Sequence, residues 1–305
     1  MNFIKRFNIY QKERFPLAGY IFMIGAFSFS AVSYSRICRG VEGFIEWPVF
    51  LLGIFTTLSL FLLVRIFDEF KDNEDDVKYR KYLPVPRGLI SLKELFYVGT
   101  VIVIMQIAVN IYFPKMFIIY LVVIGYLCLM GKEFFVADWL KKHQFWYVTS
   151  HMFIIPLVDV YASGLDWLLA GVAAPLGLLY FFAVSYMNGI VLEIGRKIKP
   201  LEYEEEGVIS YTKLLGQKGA PLTWLACLVG TLVFAILAAH YGGYGIQMFW
   251  VLLGLFAICA APAILYLTMK TQTQKVAKYV EYASAFWTFG MYLSLGGIPM
   301  FMKLI

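Results

Sequence analysis

Six carboxylates crowd the segment that follows the second long apolar stretch, Asp68, Glu69, Asp72 and Asp76 among them, in the run Arg65-Ile66-Phe67-Asp68-Glu69-Phe70-Lys71-Asp72-Asn73-Glu74-Asp75-Asp76. If the apolar helix continues for two further turns, Asp68 or Glu69, then Asp72, then Asp76 share one face at i, i+3/i+4 spacing. Like charges stacked this way repel, so the row costs stability unless a cation sits among them. Mg2+ suits such a row, because it takes carboxylate and water oxygens and commonly bridges to substrate phosphates. Arg65, one turn earlier on the same face, pairs with Asp68 or Glu69 or reaches a phosphate. Downstream, Lys78, Arg80, Lys81 and Arg87 surround Pro84 and Pro86 and form a basic segment able to hold an anion. Taken alone, this stretch also reads as a solvated charged loop.

A second cluster tips the balance. Glu193-Ile194-Gly195-Arg196-Lys197-Ile198-Lys199 leads through Glu202, Glu204, Glu205 and Glu206 to Gly207, then to Tyr211 and Thr212. Two mixed acid and base clusters capping one bundle suit a metal–diphosphate ligand, with carboxylates on the metal and Arg or Lys on the phosphate oxygens. The catalytic and metal-ligating candidates are Asp68, Glu69, Asp72, Asp76 and Glu193, with Arg196 as a further catalytic candidate. Arg65, Lys78, Arg80, Asn188, Lys197 and Tyr211 are the substrate-binding candidates.

The elements that must position these groups lie in lipid. The chain is 61% hydrophobic and 15% charged, with mean hydropathy +0.72, too apolar for a soluble fold that must clothe its surface in polar groups. Roughly 20 apolar residues cross the hydrocarbon core. Candidate spans are residues 17–36, 48–67, 94–113, 116–135, 146–162, 167–190, 221–240, 246–268 and 284–302, an all-α polytopic bundle of about nine transmembrane helices in a single domain. The polar loops are then 68–93 and 191–220. Pro48, Pro114 and Pro221 stand at span starts, where a missing N–H costs little. Pro156, Pro175, Pro262 and Pro299 fall inside spans and predict kinks.

Lys and Arg fall twenty-one on one side of this arrangement and four on the other, with Arg65 inside a span. The positive-inside rule places the N-terminus and both polar loops in the cytosol and, with an odd number of crossings, the C-terminus opposite. The formal charge of +6 is therefore a topology signal plus contact with anionic lipid or a phosphorylated ligand. It is not a nucleic-acid footprint, because the basic residues lie in short loops rather than along one face. The basic N-terminal run to Phe15 lacks a signal-peptide apolar core and reads as a retained interfacial segment. Cys38, Cys128, Cys227 and Cys259 have neither disulfide nor zinc spacing. His151 and Asp159 share a helical face in the fifth span, as polar packing contacts or as a functional pair.

With both clusters in view, the chain resembles the UbiA-type intramembrane prenyltransferase superfamily, whose members have nine transmembrane helices and acidic motifs after helices two and six. The family's first motif is Asn-Asp-x-x-Asp-x-x-x-Asp. Asp68 stands in place of its Asn and Glu69 in place of its first Asp, while Asp72 and Asp76 match the others. Arg80 through Pro84, Pro86 and Gly88 are similar to the family's downstream Arg-and-Pro segment. Gly207-Val208-Ile209-Ser210 resembles the end of the second motif, and Glu193 resembles its first acid. Arg196 departs from the pattern, standing where a second acid is expected. The resemblance implies a Mg2+-dependent enzyme that ionises an isoprenyl diphosphate and transfers the prenyl group to a lipophilic or aromatic acceptor. A terpene cyclase sharing the ionisation step is the alternative. An ion transporter and an inactive scaffold are weaker readings, since transporter sites usually lie near the bilayer midplane.

Overall fold

The computed structural model describes residues 1–304. It is 80% helical, with no strand among the described residues. The helices are α1 (Phe3–Arg14), α2 (Leu17–Cys38), α3 (Trp47–Lys71), α4 (Asn73–Tyr79), α5 (Leu92–Tyr112), α6 (Phe117–Gly131), α7 (Ala137–Lys142), α8 (Gln144–Met152), α9 (Ile154–Trp167), α10 (Leu178–Gly195), α11 (Tyr211–Tyr241), α12 (Gly245–Thr268), α13 (Gln274–Tyr292) and α14 (Ile298–Leu304). Among the described residues, eight segments are long and apolar enough to cross a membrane: α2, α3, α5, α6 with its leading turn, α8 with α9, α10, α11 and α12. The last helical run passes from α13 through a π segment, Leu293–Gly297, into α14. Lys275, Lys278 and Glu281 in its opening turns make it the least apolar of the long runs. The chain is an all-α polytopic membrane bundle.

Local chemistry accounts for the ends. Ser91 and Glu94 form a reciprocal capping box that starts α5, while Ser210 and Thr273 cap α11 and α13. Pro48 occupies the first turn of α3, where its missing N–H has no helical partner to lose. The sixth helix begins at Leu178, well after the expected residue 167. Gly171 turns the intervening stretch at φ +72°, and Pro175 lies in that turn rather than kinking a helix. Ser210 starts α11 ten residues before the expected 221; the helix then breaks at Gly216, φ 79° and ψ 166°, and resumes ahead of Pro221.

Polar groups inside the bundle find one another, as groups without water must. Gln106 Nε2 donates to Ser59 Oγ at 2.7 Å, Tyr120 donates to Gln106 Oε1 at 3.2 Å, and Tyr161 donates to Asn110 Oδ1 at 3.0 Å. At one end of the bundle Asp166 accepts from Ser35 (2.7 Å), Arg36 (3.1 Å) and Arg39 (2.7 Å). At the opposite end, where the sequence-predicted acids lie, α1 packs on the end of α3 and the start of α5.

Candidate active site

The acidic row begins on the last turn of α3. That helix runs to Lys71, Asp72 caps it, and α4 continues with the Asp76 N–H donating to the Asp72 carbonyl at 2.9 Å. The spacing of Asp68, Asp72 and Asp76 thus stays close to helical across the junction. Asp68 and Asp72 both flank the Lys71 ammonium, at 3.8 and 4.0 Å, and Asp68 lies 3.7 Å from Arg65. These separations are too long for hydrogen bonds, which leaves the oxygens of both carboxylates free to accept a ligand. Burial raises the Asp72 carboxyl, with Lys71 opposing and Asp68 reinforcing the shift. Burial likewise raises Asp76 against the nearby charge of Arg80, whose Nη2 lies 2.5 Å from Asp76 Oδ1.

Glu69 faces elsewhere. Its side chain is 1% exposed and binds Arg14 of α1 at 2.6 Å, with Arg65 at 3.4 Å. Two further pairs clamp α1 beside the loop: Arg6 with Glu94, and Glu13 with Arg87 at 2.7 Å. Of the acids expected to bind metal, Glu69 is paired with two arginines in this geometry, while Asp68 and Asp72 make no contact short enough for a hydrogen bond. Two carboxylates one turn apart fit a single Mg2+, which takes one or two carboxylates and fills its octahedron with water and phosphate oxygens.

Beside the row stands a network that residue spacing did not reveal. Lys71 donates to the Tyr147 hydroxyl at 2.8 Å and lies 3.4 Å from Glu133. Glu133 Oε2 is 3.3 Å from His151 Nε2, while His151 Nδ1 lies 2.8 Å from the Tyr147 carbonyl. A carbonyl only accepts, so Nδ1 carries a proton and Nε2 turns to the carboxylate. Burial works to raise Glu133, yet His151 and Lys71 hold its carboxyl below the ordinary range. Glu133, Phe134 and Phe135 all have positive φ, at 50°, 52° and 61°, a costly run for residues with a Cβ. That turn aims Glu133 at Lys71 and sets Phe134 edge-on to His151. Only a left-handed run of non-glycine residues signals it, and this has no mark in sequence. His151 faces Glu133, while both Asp159 oxygens lie buried without a hydrogen-bond partner.

The second cluster closes over the first. Gly207, φ +72°, lies so close to Tyr79 that a Cβ there would meet the ring at 2.4 Å. The Tyr82 hydroxyl donates to Glu205 at 3.1 Å, and Glu205 binds Lys199 at 2.6 Å. Glu204 accepts from Ser210 and Thr212, each at 2.6 Å at closest, and so serves the start of α11. Glu193, 6% exposed at the end of α10, is held by Arg196 (Nε at 2.8 Å) and by Lys197 at 2.6 Å. Glu193 foremost, and Asp68 at longer range, raise the Arg196 guanidinium above its ordinary value. The two clusters thus feel one another across the bundle end. Tyr211 is buried at the start of α11, its N–H donating to the Lys197 carbonyl at 3.2 Å. Lys78 is exposed and sits over the Tyr79 ring at 4.7 Å.

Asn188 lies deeper. It is five residues before Glu193 on α10, about 7.5 Å along the axis. Both its side-chain polar atoms lack a hydrogen-bond partner, as do Ser185 Oγ and both Asp159 oxygens. Tyr292 lies close to all three and joins an aromatic group in which Phe27 and Phe181 stand 5.2 and 5.9 Å from it, with Tyr34 stacked on Phe181. Open carboxylates, a cationic helix end and aromatic faces below them thus follow one another inward.

A model of the UbiA prenyltransferase family matches residues 26–290. The fold is similar to that of a solved digeranylgeranylglyceryl phosphate synthase, with TM-score 0.56 and 19% identity over 93% of this chain and 99% of that one. No curated protein matches the chain. The family match spans both clusters and all but the outermost helical segments, and the chain belongs to the UbiA prenyltransferase family.

Proposed function

We propose that this chain is a Mg2+-dependent intramembrane prenyltransferase that ionises an allylic isoprenyl diphosphate and transfers the prenyl group to a membrane-soluble acceptor. The observation that carries this reading is the pair of open carboxylates, Asp68 and Asp72, in a loop on which the second cluster docks through Gly207 at Tyr79 and Glu205 at Tyr82. Asp68 and Asp72, with Asp76 behind them, would hold the ion, which when bound draws charge from the diphosphate as it leaves. Arg65, Arg196 and Lys197 neutralise phosphate oxygens. The bond between the diphosphate oxygen and the allylic carbon breaks, its electron pair leaves with the diphosphate, and an acceptor nucleophile bonds to that carbon, its proton passing to the released diphosphate. The faces of Tyr292, Phe27 and Phe181 lie below, where positive charge develops on the prenyl chain. Glycine-turned Gly207 and Tyr79 close the loops and exclude water. The likeness to a digeranylgeranylglyceryl phosphate synthase supports a prenyl donor and an acceptor drawn from the membrane. In this reading the chain crosses nine times, with α1 and both loops cytosolic.

One observation favours a second reading. Asp159 is fully buried without a hydrogen-bond partner beside the aromatic group, where a carboxylate can take a proton from a cation that reacts with its own double bonds. That enzyme is a terpene cyclase. Purified protein incubated with Mg2+ and allylic diphosphates of graded chain length, with and without lipid extract, separates the two. A prenylated lipid or aromatic product is expected; a hydrocarbon formed without acceptor supports the cyclase, and no diphosphate release from a folded sample rejects both.

A further inference from the structure

Glu193 has no free oxygen facing the site. Oε2 accepts from Arg196 and Oε1 pairs with Lys197 at 2.6 Å. No other acid of the second loop can complete a metal shell beside it: Glu204 is bound to Ser210 and Thr212, and Glu205 to Lys199 and Tyr82. Glu202 and Glu206 are exposed and make no ion pair among the described residues. Among those residues no group of three or more His, Cys, Asp or Glu side chains is placed to hold an ion. A divalent ion on Glu193 would have to displace one cation and stand beside the other.

The same arrangement suits a phosphate directly. The Arg196 side chain is 54% exposed and turns Nε and Nη2 to Glu193, which leaves Nη1 and its outer edge to donate elsewhere. Lys197 is half-buried beside it. Both cations stand at the C-terminal end of α10, where the helix dipole favours positive charge, and Glu193 anchors them in place. Building on the diphosphate reading above, we infer that this protein has exchanged the metal of its second cluster for fixed charges. The diphosphate is gripped by a single divalent ion at Asp68 and Asp72 on one side and by Arg196 and Lys197 on the other.

The test counts metal. Detergent-purified protein is saturated with Mn2+ and inorganic pyrophosphate, freed of unbound ligand by rapid gel filtration, and assayed for bound Mn2+ and pyrophosphate, with electron paramagnetic resonance reporting coupling between ions. One Mn2+ per bound pyrophosphate, with an uncoupled signal, is expected. Two coupled ions per pyrophosphate would overturn the inference while leaving the diphosphate reading intact. No metal-dependent pyrophosphate binding at all would count against the diphosphate reading itself. In the folded double variant Arg196→Gln/Lys197→Gln, pyrophosphate affinity should fall about 10- to 100-fold with the metal count still one; unchanged affinity rejects the role of these cations. The wild-type count decides the matter even if that variant fails to fold.

Discussion

At the residue scale, what distinguishes Asp68 and Asp72 from the other acids of the two clusters that are not fully exposed is the absence of a partner at hydrogen-bond distance. Glu69, Asp76, Glu193, Glu204 and Glu205 each have a short contact to a cation or hydroxyl. Asp72→Ala is therefore expected to abolish turnover and to weaken Mg2+ binding, measured by product formation and by calorimetry with Mg2+ and pyrophosphate. Full activity in that variant would remove the metal assignment. Glu133 carries a different load, because its two oxygens face Lys71 and His151. Glu133→Gln keeps the shape and takes the carboxylate away from the partly buried Lys71 ammonium. Breaking a buried ion pair from one side costs roughly 3–5 kcal/mol, so thermal unfolding in detergent should shift clearly downward. An unshifted transition would show that the network is solvated.

At the scale of elements, two loops from distant parts of the chain lock together through Gly207 on Tyr79 and Glu205 on Tyr82. Gly207→Ala adds a Cβ in a left-handed conformation, at about 1–2 kcal/mol, and pushes it into the ring. Faster hydrogen exchange should follow in both loops, with partial recovery when Tyr79→Ala makes room. Equal protection in all three proteins would argue against docking. The Glu205 carboxyl is held below its ordinary range, foremost by the hydrogen bond from Lys199. A depressed folded-state pKa means that the pair stabilises the loop at neutral pH and that this contribution is lost as pH falls through the folded value. Glu205→Gln should thus loosen the loop at neutral pH and make no difference once the wild-type acid is protonated. A pH-independent difference would contradict the pairing.

At the scale of the whole molecule, the last helical run must lie directly on α2 for the bundle to close. The π segment brings Gly296 so near α2 that a Cβ would stand 2.2 Å from the Ser30 carbonyl oxygen. Backbone cannot step aside as a side chain can. Gly296→Ala is expected to lower the yield of monodisperse protein on size exclusion and to reduce its melting temperature by several degrees. Wild-type behaviour would mean that the run is free to shift along α2. A lipid-embedded bundle tolerates such close backbone approach because small residues replace hydrophobic burial as the source of contact between helices.

The chain alone determined the membrane class, the approximate spans, the charge asymmetry and the acidic row after the second span. Each of these follows from local rules: apolar length against bilayer thickness, loop composition, and i to i+4 spacing on one helix. The same rules could not tell Asp68 from Glu69, since both lie on the last turn of α3 and only the docking of α1 brings Arg14 to one of them. Nor could they join Lys71 to Glu133 and Glu133 to His151, which depends on a left-handed turn and on how three helix ends converge. Which carboxylates stay open to a ligand is a question of partners distant along the chain, and only tertiary structure brings those partners together.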